Sequence, residues 1–366
     1  MKPMKQMTKT KKWWVGIPIV LGIFLMAILT LEGRTISTLS SLRQISGTSS
    51  GEDALYTMDY TSSYRLSNIL ESGATAPEDL ASAINHQLFL GLNTAFSLPA
   101  LSAGGAAFDA EASPDTHVMG QRIESLTQNY LLARNYNGTA TSALLIRSTP
   151  RSGYASLAMS SLPGNLLKTA SYARLLAAPL LSTDGVNDQG LSVAAIRLSD
   201  PPTQEKNDLL PITTTLAVRM MLDQCATVQE AVALLGNYDM TAPGDHGYAF
   251  LIADKTGDST VVEYPKNKMA TVSSTIATDR YQSKGAVTKG PGDHAAKTFK
   301  TIQSAIAATK KTVSQKEAFT ILKKTAVTKG DEATRWSVVY DLYSSSASVV
   351  FSQNWDHPYT LTLTEN

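Results

Sequence analysis

The chain has 366 residues, of which 43% are hydrophobic and 17% are charged, and this is the composition of a globular protein. It excludes a disordered, a collagen-like or a many-span membrane protein. Five lysines and no acidic residue lie within the first twelve positions, so the rest of the chain has four more acidic than basic residues. A mildly acidic body lacks the basic face that binds phosphates, which argues against a nucleic-acid partner.

The amino-terminal region predicts a membrane anchor. Residues 1–12 form a Lys-rich tail, and residues 13–31 contain no charge. At about 1.5 Å per residue, a helix over this span is roughly 28 Å long, enough to cross the hydrocarbon core of a bilayer once. The lysines place the tail in the cytoplasm and the body on the extracytoplasmic face. A cleaved signal peptide has the same layout and is the alternative.

Residues 32–53 are rich in Ser, Thr and Gly without a sustained apolar period, and they predict a tether between bilayer and body. No repeat and no second linker follows, so residues 54–366 are predicted to form one domain. An exported body with a single cysteine and no disulfide fits a bacterial envelope best.

The domain contains strand-like runs and two helical blocks, which together predict an α+β fold with antiparallel sheets covered by helices. The helical blocks are 212–236 and 295–327, and each contains a capping-box sequence, at Thr227 and at Ser314. The strand-like runs are 143–146, 154–159, 191–196, 248–253, 260–264, 337–342, 348–351 and 359–364.

The cysteine and histidine content predicts neither a metal site nor a cofactor. The single cysteine, Cys225, excludes an intramolecular disulfide and a cysteine-based zinc site. The five histidines form no H-x-x-x-H or H-x-H pair, and no nucleotide-binding glycine loop is present. Cys225 lies between two predicted helices without a histidine nearby in sequence, so we interpret it as a packing residue rather than a nucleophile.

Four segments, taken together, resemble the choloylglycine hydrolase and penicillin V acylase superfamily of linear amide C–N hydrolases, in its autoproteolytic acyltransferase-like branch. They are 182–191 (STDGVNDQGL), 213–235 with its LDQCATVQEA core, 246–264 with FLIADKTGD and VEY, and 335–340 (RWSVVY). The resemblance covers roughly residues 54–364. It implies an Ntn-hydrolase fold, an αββα four-layer sandwich of two antiparallel sheets between helical layers, with residues 54–104 as a propeptide-like segment.

The resemblance also implies a chemistry. In active members of the family, removal of a propeptide leaves an amino-terminal cysteine, whose thiol attacks an amide carbonyl while its own amine moves the proton. Asparagine side chains and backbone N–H groups stabilise the oxyanion, and an arginine and an aspartate hold the thiol and the amine in place. The implied ligand is a small acyl amide, and the oligomeric state is not implied.

Five positions of this sequence match the family's functional positions, and we expect them to surround one pocket. They are Gly105 for the nucleophile, Arg134 and Asn137 for the positioning arginine and aspartate, Asn187 for the oxyanion asparagine, and Asp279 for a second asparagine. A later family arginine is replaced by His294 or Lys297. In particular, Arg134 and Asn187 are expected to share the pocket with Gly105.

These substitutions favour a membrane-anchored, hydrolase-like protein whose amide hydrolysis is impaired or lost. Gly105 has no side chain to attack a carbonyl, and the Asp279 carboxylate would oppose an oxyanion, where a single lost donor costs ~3 kcal/mol. The first alternative is a non-catalytic module that binds an acyl amide or a partner protein.

The second alternative is an active hydrolase that uses Ser102, Ser113 or Thr116 as an amino-terminal nucleophile. A glycine introduced at position 105 in place of a native cysteine would leave Asn137 and Asp279 unexplained.

Overall fold

The computed structural model describes residues 33–47, 53–64, 66–75, 79–80, 117–121, 130–138, 142–162, 172–198, 200–242, 244, 246–284, 286, 292–309, 313–330 and 333–363. The predicted anchor at 13–31, Gly105 and most of the propeptide-like segment lie outside this part of the chain. Among the residues it covers, no helix is both long and apolar enough to cross a membrane.

The described residues form seven α-helices and seventeen strands. The helices are α1 (33–40), α2 (Leu66–Ser72), α3 (Tyr172–Ala177), α4 (Thr214–Gln224), α5 (Val228–Leu235), α6 (Gly292–Ala308) and α7 (Gln315–Thr325). The first nine strands are β1 (Arg43–Gly47), β2 (Ala54–Tyr60), β3 (His117–Gln121), β4 (Leu131–Asn137), β5 (Ser142–Ser148), β6 (Ser156–Leu162), β7 (Ser182–Asn187), β8 (Leu191–Leu198) and β9 (Leu210–Thr213). The others are β10 (Tyr238–Thr241), β11 (Gly247–Asp254), β12 (Ser259–Glu263), β13 (Ala270–Val272), β14 (Ile276–Ala277), β15 (Thr334–Asp341), β16 (Ser346–Phe351) and β17 (Tyr359–Thr362).

The strands form two main sheets. The larger sheet has the order β1-β2-β5-β6-β7-β8-β11-β12-β13, and the smaller has the order β14-β3-β4-β15-β16-β17. Neighbouring strands are antiparallel, as expected, except that β2 and β5 are parallel. The exception arises because the chain forms β3 and β4 of the other sheet between β2 and β5, and a connection that leaves a sheet can return in the same direction. Strands β9 and β10 form a separate parallel pair.

The two sheets stack face to face, and helices cover both outer faces. The alternation of side chains along each strand produces these layers. On β15, for example, Val338 lies in the cluster between the sheets, whereas Val339 packs outward against Ile321 of α7. Helices α4 and α5 pack on the outer face of the larger sheet through residues such as Leu216. The expected αββα arrangement is therefore confirmed.

Side-chain caps fix the starts of two helices at the predicted positions. Ser314 and Glu317 form a capping box at α7. At α5, Thr227 accepts a hydrogen bond from the backbone N–H of Glu230. The Glu230 carboxylate, however, accepts from the N–H of Ala226 instead of that of the cap residue. Both predicted helix starts are confirmed. The cap of α5 is not a full capping box, because its glutamate binds the residue before the cap residue.

The structure corrects the predicted tether at 32–53, because residues 33–47 are part of the folded domain. Strand β1 pairs with β2 at the edge of the larger sheet. In α1, the buried Thr38 Oγ1 accepts hydrogen bonds from the backbone N–H groups of Thr61 and Ser62, both at 3.0 Å. A threonine of this segment thus binds a distant part of the chain. Composition alone does not distinguish such a segment from a linker.

Candidate functional site

A buried polar cluster joins the two sheets. Arg134 on β4 and Asp184 on β7 form an ion pair with 2.5 Å between Nη1 and Oδ2, and neither side chain is exposed. Arg134 Nη1 also donates to the backbone carbonyl of Thr183 at 3.1 Å. The hydroxyl of Tyr340 on β15 donates to the second carboxylate oxygen of Asp184. Three strands from two sheets thus meet at one carboxylate.

Aromatic rings pack beside this ion pair. Tyr136 and Trp336 stack with ring centroids 3.7 Å apart and nearly parallel planes. The Arg134 guanidinium carbon lies 5.4 Å from the centroid of Tyr136, within the range of a cation–π contact. Burial raises the pKa of Tyr136 to about 12. Burial, and then the negative charge of Asp184, raise the pKa of Tyr340 well above its usual value, so both phenols are neutral at physiological pH.

Asn187 lies on the other face of the larger sheet, because it is three residues from Asp184 on β7 and successive side chains of a strand alternate. Its Nδ2 donates to the backbone carbonyls of Leu222 and Cys225 at 3.0 and 2.7 Å. Its Oδ1 accepts from the backbone N–H of Leu191 at 2.9 Å. Both amide hydrogens of Asn187 are therefore used to hold the end of α4, and the expectation of one pocket for Arg134 and Asn187 is wrong.

The turn after Asn187 requires a glycine at position 190. Gly190 has a φ of +83°, in the left-handed region that favours glycine. A Cβ at this position would lie 2.4 Å from the carbonyl oxygen of Leu342. The backbone N–H of Gly190 donates to the carbonyl of Asn187 at 3.0 Å and closes the turn between β7 and β8.

A second buried ion pair, which the sequence motifs did not reveal, lies beside Asn187. Arg219 and Asp223, one turn apart on α4, have 2.6 Å between Nη2 and Oδ1. Tyr64 donates its hydroxyl to both oxygens of Asp223, at 2.8 and 2.6 Å. Arg219 Nη2 also donates to Ser156 Oγ at 2.7 Å, and Ser156 faces Asn187 across the β6–β7 ladder. The i,i+4 spacing of Arg and Asp in a predicted helix was the available signal.

Burial dominates the electrostatics of this second pair. It raises the pKa of the Asp223 carboxyl, although the Arg219 charge and the Tyr64 hydrogen bond act in the opposite direction. Burial also raises the pKa of Tyr64. Arg219 Nε and Nη1 are buried and have no hydrogen-bond partner among the described residues. We assign this cluster to the structure of the outer layer, since it ties α4 to the larger sheet.

Asn137 lies away from the Arg134 ion pair. Asn137 is three residues after Arg134 on β4 and therefore points to the opposite face, toward the helical layer. Its Oδ1 accepts a hydrogen bond of 2.6 Å from Thr334 Oγ1. Asp279 is partly buried and follows β14 at the edge of the smaller sheet. Of the three predicted site residues that lie on strands, Arg134, Asn137 and Asn187, only Arg134 therefore lies between the sheets beside Asp184.

The remaining predicted positions give two different results. Gly105 and the alternative nucleophiles Ser102, Ser113 and Thr116 lie outside the described residues, and so does the side chain of His294. Lys297 is exposed on α6, where it lines an open groove of about 800 Å³ on the outer surface. It therefore does not occupy a position between the sheets.

Cys225 packs in the outer hydrophobic layer, as interpreted from the sequence. It follows α4, and only 2% of its surface is exposed. Burial, and then the negative charge of Glu230, raise the pKa of its thiol to about 12. Within the residues that the structure describes, no group of three or more His, Cys, Asp or Glu side chains is arranged to hold a metal ion.

Residues 171–284 match the family described as linear amide C-N hydrolases, choloylglycine hydrolase family. The match confirms the resemblance drawn from the sequence motifs, and it includes Asp184, Asn187 and the whole of α4. No match was found among curated protein sequences.

Many solved structures are similar to this chain, and three of them illustrate the likeness. A variant of conjugated bile acid hydrolase from Clostridium perfringens has 16% sequence identity and a TM-score of 0.51, over 68% of this chain and 92% of that chain. A second variant of that hydrolase has 16% identity and a TM-score of 0.50 over the same shares. Penicillin V acylase from Agrobacterium tumefaciens has 18% identity and a TM-score of 0.48, over 67% of this chain and 84% of that chain. The likeness to the bile acid hydrolase establishes the α+β fold of this chain.

Proposed function

We propose that this chain, whose residues 171–284 carry the choloylglycine hydrolase family pattern, is a membrane-anchored envelope protein that no longer hydrolyses amides and binds a small acyl-amide ligand. The observation that carries the proposal is the bonding of Asn187. An oxyanion donor needs an amide hydrogen directed at the reacting carbonyl. Both amide hydrogens of Asn187 are bound to the carbonyls of Leu222 and Cys225. Gly105, which has no nucleophilic side chain, supports the same conclusion.

The state of Arg134 also supports loss of catalysis. Its guanidinium is bound to Asp184, and both side chains are fully buried. The negative charge of Asp184 compensates the positive charge, so Arg134 does not lower the pKa of a nucleophile as an uncompensated arginine would.

Trp336 supports ligand binding between the sheets. Its ring is fully buried and stacked on Tyr136, and its Nε1 has no hydrogen-bond partner in the described part of the chain. A buried donor without a partner costs free energy, and a bound carbonyl oxygen or water removes that cost. An acyl amide offers both an apolar chain for the rings and a carbonyl for the indole N–H.

The second candidate is an active amide hydrolase with Ser102, Ser113 or Thr116 as its amino-terminal nucleophile. The family match over residues 171–284 favours it, because the family is described as hydrolases. The two candidates differ in whether the chain is cut and whether substrate is consumed.

The test uses the full chain purified in detergent. Incubation with penicillin V or a glycine-conjugated bile acid should give hydrolysis at background, and the intact mass should contain no product of self-cleavage at residues 102–116. Both compounds should raise the Tm, because a ligand that binds only the folded state stabilises it. Turnover together with a new amino terminus at Ser102, Ser113 or Thr116 would establish the second candidate.

Two tryptophan variants locate the ligand. Trp336→Phe removes the indole N–H but keeps an aromatic ring, and it should reduce the rise in Tm caused by the ligand. Trp355→Phe is the matched control, because Trp355 packs with the cluster on the outer face of the smaller sheet. An equal rise in Tm for both variants would place the ligand elsewhere.

A further inference from the structure

Helix α1 presents one buried and one exposed face. Thr38 is fully buried, and Leu39 and Leu42 pack against the outer core of the larger sheet. Ile36, one turn before Leu39 on the same helix, nevertheless has 65% of its surface exposed. Among the described residues, it is one of three large hydrophobic side chains that are exposed, and the other two are Leu209 and Tyr343.

The chain between the predicted anchor and α1 is short. The uncharged span ends at Leu31, and the helix is present from Gly33. Ile36 is five residues beyond the span, a distance of roughly 7 Å in a helix or at most about 18 Å in an extended chain. The headgroup region of a bilayer is about 5–8 Å thick on each side of the hydrocarbon core. Ile36 is therefore held at or just above the headgroups if residues 13–31 span the membrane.

The same segment is basic in an acidic body. Residues 33–47 contain Arg34 and Arg43 and no acidic residue, and both arginines are exposed. With Glu32 directly before them, the flank from 32 to 47 has a net charge of +1. From residue 48 onward, the chain has five more acidic than basic residues. The cytoplasmic side of the predicted anchor is also basic, so anionic lipid would attract both flanks of the anchor. The charge of this segment fits an anionic lipid surface, and the charge of the remaining body does not.

We propose that α1 and the start of β1 form a membrane-docking surface that lies on anionic phospholipid headgroups, with Ile36 as its apolar contact and Arg34 and Arg43 as its charged contacts. The inference rests on the membrane anchor of the proposed function. Docking holds the domain in one orientation, because Thr38 fixes α1 to the backbone of Thr61 and Ser62.

Docking places a defined end of the larger sheet next to the bilayer. Thr61 follows β2 directly, and the β2, β5, β6 and β7 ladders align Tyr60, Ser148, Ser156 and Asn187 in one row across the sheet. Strand β8 starts at Leu191, beside this row, and runs away from it to Leu198. Lys206 follows β8 in the chain and therefore lies near the other end of the larger sheet. An eight-residue strand is about 26 Å long, so Lys206 serves as a distant control.

The first measurement tests the anchor itself. Full-length protein is reconstituted into vesicles of phosphatidylcholine with phosphatidylglycerol and centrifuged in a density gradient after an alkaline carbonate wash. The protein should float with the vesicles. Recovery of the washed protein in the soluble fraction would overturn the anchor and the docking surface together.

The second measurement tests docking in vesicles that pass the first. An environment-sensitive fluorophore is attached at Ile36→Cys or, as the control, at Lys206→Cys; both positions are exposed, whereas the native Cys225 is buried. The label at position 36 should be quenched by a headgroup nitroxide lipid and protected from aqueous iodide, and the label at position 206 should show the reverse. Equal access of iodide to both labels, in protein that floats, would overturn docking while leaving the anchor intact.

A third measurement tests the role of charge. Arg34→Gln combined with Arg43→Gln, in the chain labelled at position 36, should reduce quenching by the headgroup nitroxide lipid. Lys206→Gln removes the same kind of charge at the distant end and should leave that quenching unchanged. Quenching that is equal in the double variant and in the unsubstituted chain would overturn the assignment of the two arginines as charged contacts.

Discussion

Arg134 of the smaller sheet and Asp184 of the larger sheet form an ion pair in which both side chains are fully buried, with 2.5 Å between nitrogen and oxygen. The desolvation of two charges costs several kcal/mol, and their mutual attraction offsets this cost only while both are present. Tyr340 and Thr183 donate further hydrogen bonds to the same carboxylate. The contribution of this pair to the stacking of the two sheets therefore requires both of its members.

Removal of one charge from this pair should destabilise the protein strongly. Asp184→Asn should lower the free energy of unfolding by about 3–5 kcal/mol, because it leaves Arg134 buried without its counter-charge. Urea unfolding followed by circular dichroism measures the change. The matched control is Asp59→Asn at the Arg147–Asp59 pair, where the distance is 3.6 Å and Asp59 is 56% exposed. This control should cost less than about 1 kcal/mol. A similar loss in both variants would contradict the inference.

The bonding of Asn187 leads to a second prediction. Asn187→Ala should lower the free energy of unfolding by about 2–4 kcal/mol, because the buried carbonyls of Leu222 and Cys225 lose their donor. Gln189→Ala, two residues later in the same turn, removes one exposed hydrogen bond to Asp188 and should cost no more than about 0.5 kcal/mol. An Asn187→Ala variant as stable as the unsubstituted chain would show that the side chain is available for another role.

The elements that the sequence predicted correctly are those determined by local patterns. The strand-like runs around Val338 and Leu251 alternate or are continuously apolar, and the turn at Asp254 to Gly257 has a strong local preference. The edge strand β1 and helix α1 were missed, because their stability comes from partners distant in the sequence. Thr38 binds the backbone at residues 61–62, and no local pattern predicts such a contact.

The candidate site was predicted less well for a related reason. The motif around Asn187 indicated the family resemblance that the match over residues 171–284 confirms. A motif does not, however, distinguish residues that take part in the chemistry from residues that form the turn. Strand alternation alone separates Asp184 from Asn187, and Arg134 from Asn137, onto opposite faces. The expectation of one shared pocket depends on the residue types alone and does not consider that successive side chains of a strand point to opposite faces. The Arg219–Asp223 pair was also missed, although its i,i+4 spacing is visible in the sequence.

The capping box of α7 predicts a dependence of stability on pH. Hydrogen bonds from the backbone and hydroxyl of Ser314 lower the pKa of Glu317 from the ordinary value of 4.5. A lowered pKa in the folded state means that the charged carboxylate stabilises the protein above pH 4.5, and that this stabilisation is lost as the pH falls through the folded pKa.

The comparison of Glu317→Gln with the unsubstituted chain isolates this effect. The difference in the free energy of unfolding should be largest near neutral pH and should disappear in acid below pH 4.5. Lys316→Gln on the same turn should show no such acid dependence. A difference for Glu317→Gln that stays constant from neutral to acidic pH would show that the capping box does not lower the pKa of this carboxyl.

The environment of Cys225 predicts a thiol that does not react in the folded protein. Its pKa is raised to about 12, and only 2% of its surface is exposed. The thiolate is the reactive form, so labelling by a disulfide reagent at neutral pH should be on the order of 10²-fold or more slower in the native protein than in guanidinium chloride. Labelling at equal rates in the two conditions would show that the thiol is accessible and that the packing interpretation is wrong.

The last prediction concerns the restoration of amide hydrolysis. Gly105→Cys supplies a thiol at the position that resembles the family's nucleophile, yet this change alone should restore little turnover of penicillin V. Asp279 would still place a carboxylate where the resemblance implies an oxyanion donor, and one missing donor lowers a rate by roughly 10²- to 10³-fold.

The double variant Gly105→Cys and Asp279→Asn should therefore be more active than either single variant, and by more than the product of their separate effects, because a nucleophile and an oxyanion donor act in the same transition state. Self-cleavage should accompany the gain, since a thiol at position 105 can attack the preceding carbonyl, and amino-terminal sequencing should then find Cys at position 105 as the new terminus.

Gly104→Cys with Asp279→Asn is the matched control, because it moves the thiol by one residue. Full activity of Gly105→Cys without the second change would show that Asp279 does not oppose the oxyanion. Background activity and an uncut chain in the double variant would show that the bonds that occupy Asn187 and Arg134 are enough to prevent catalysis, even with both missing groups supplied.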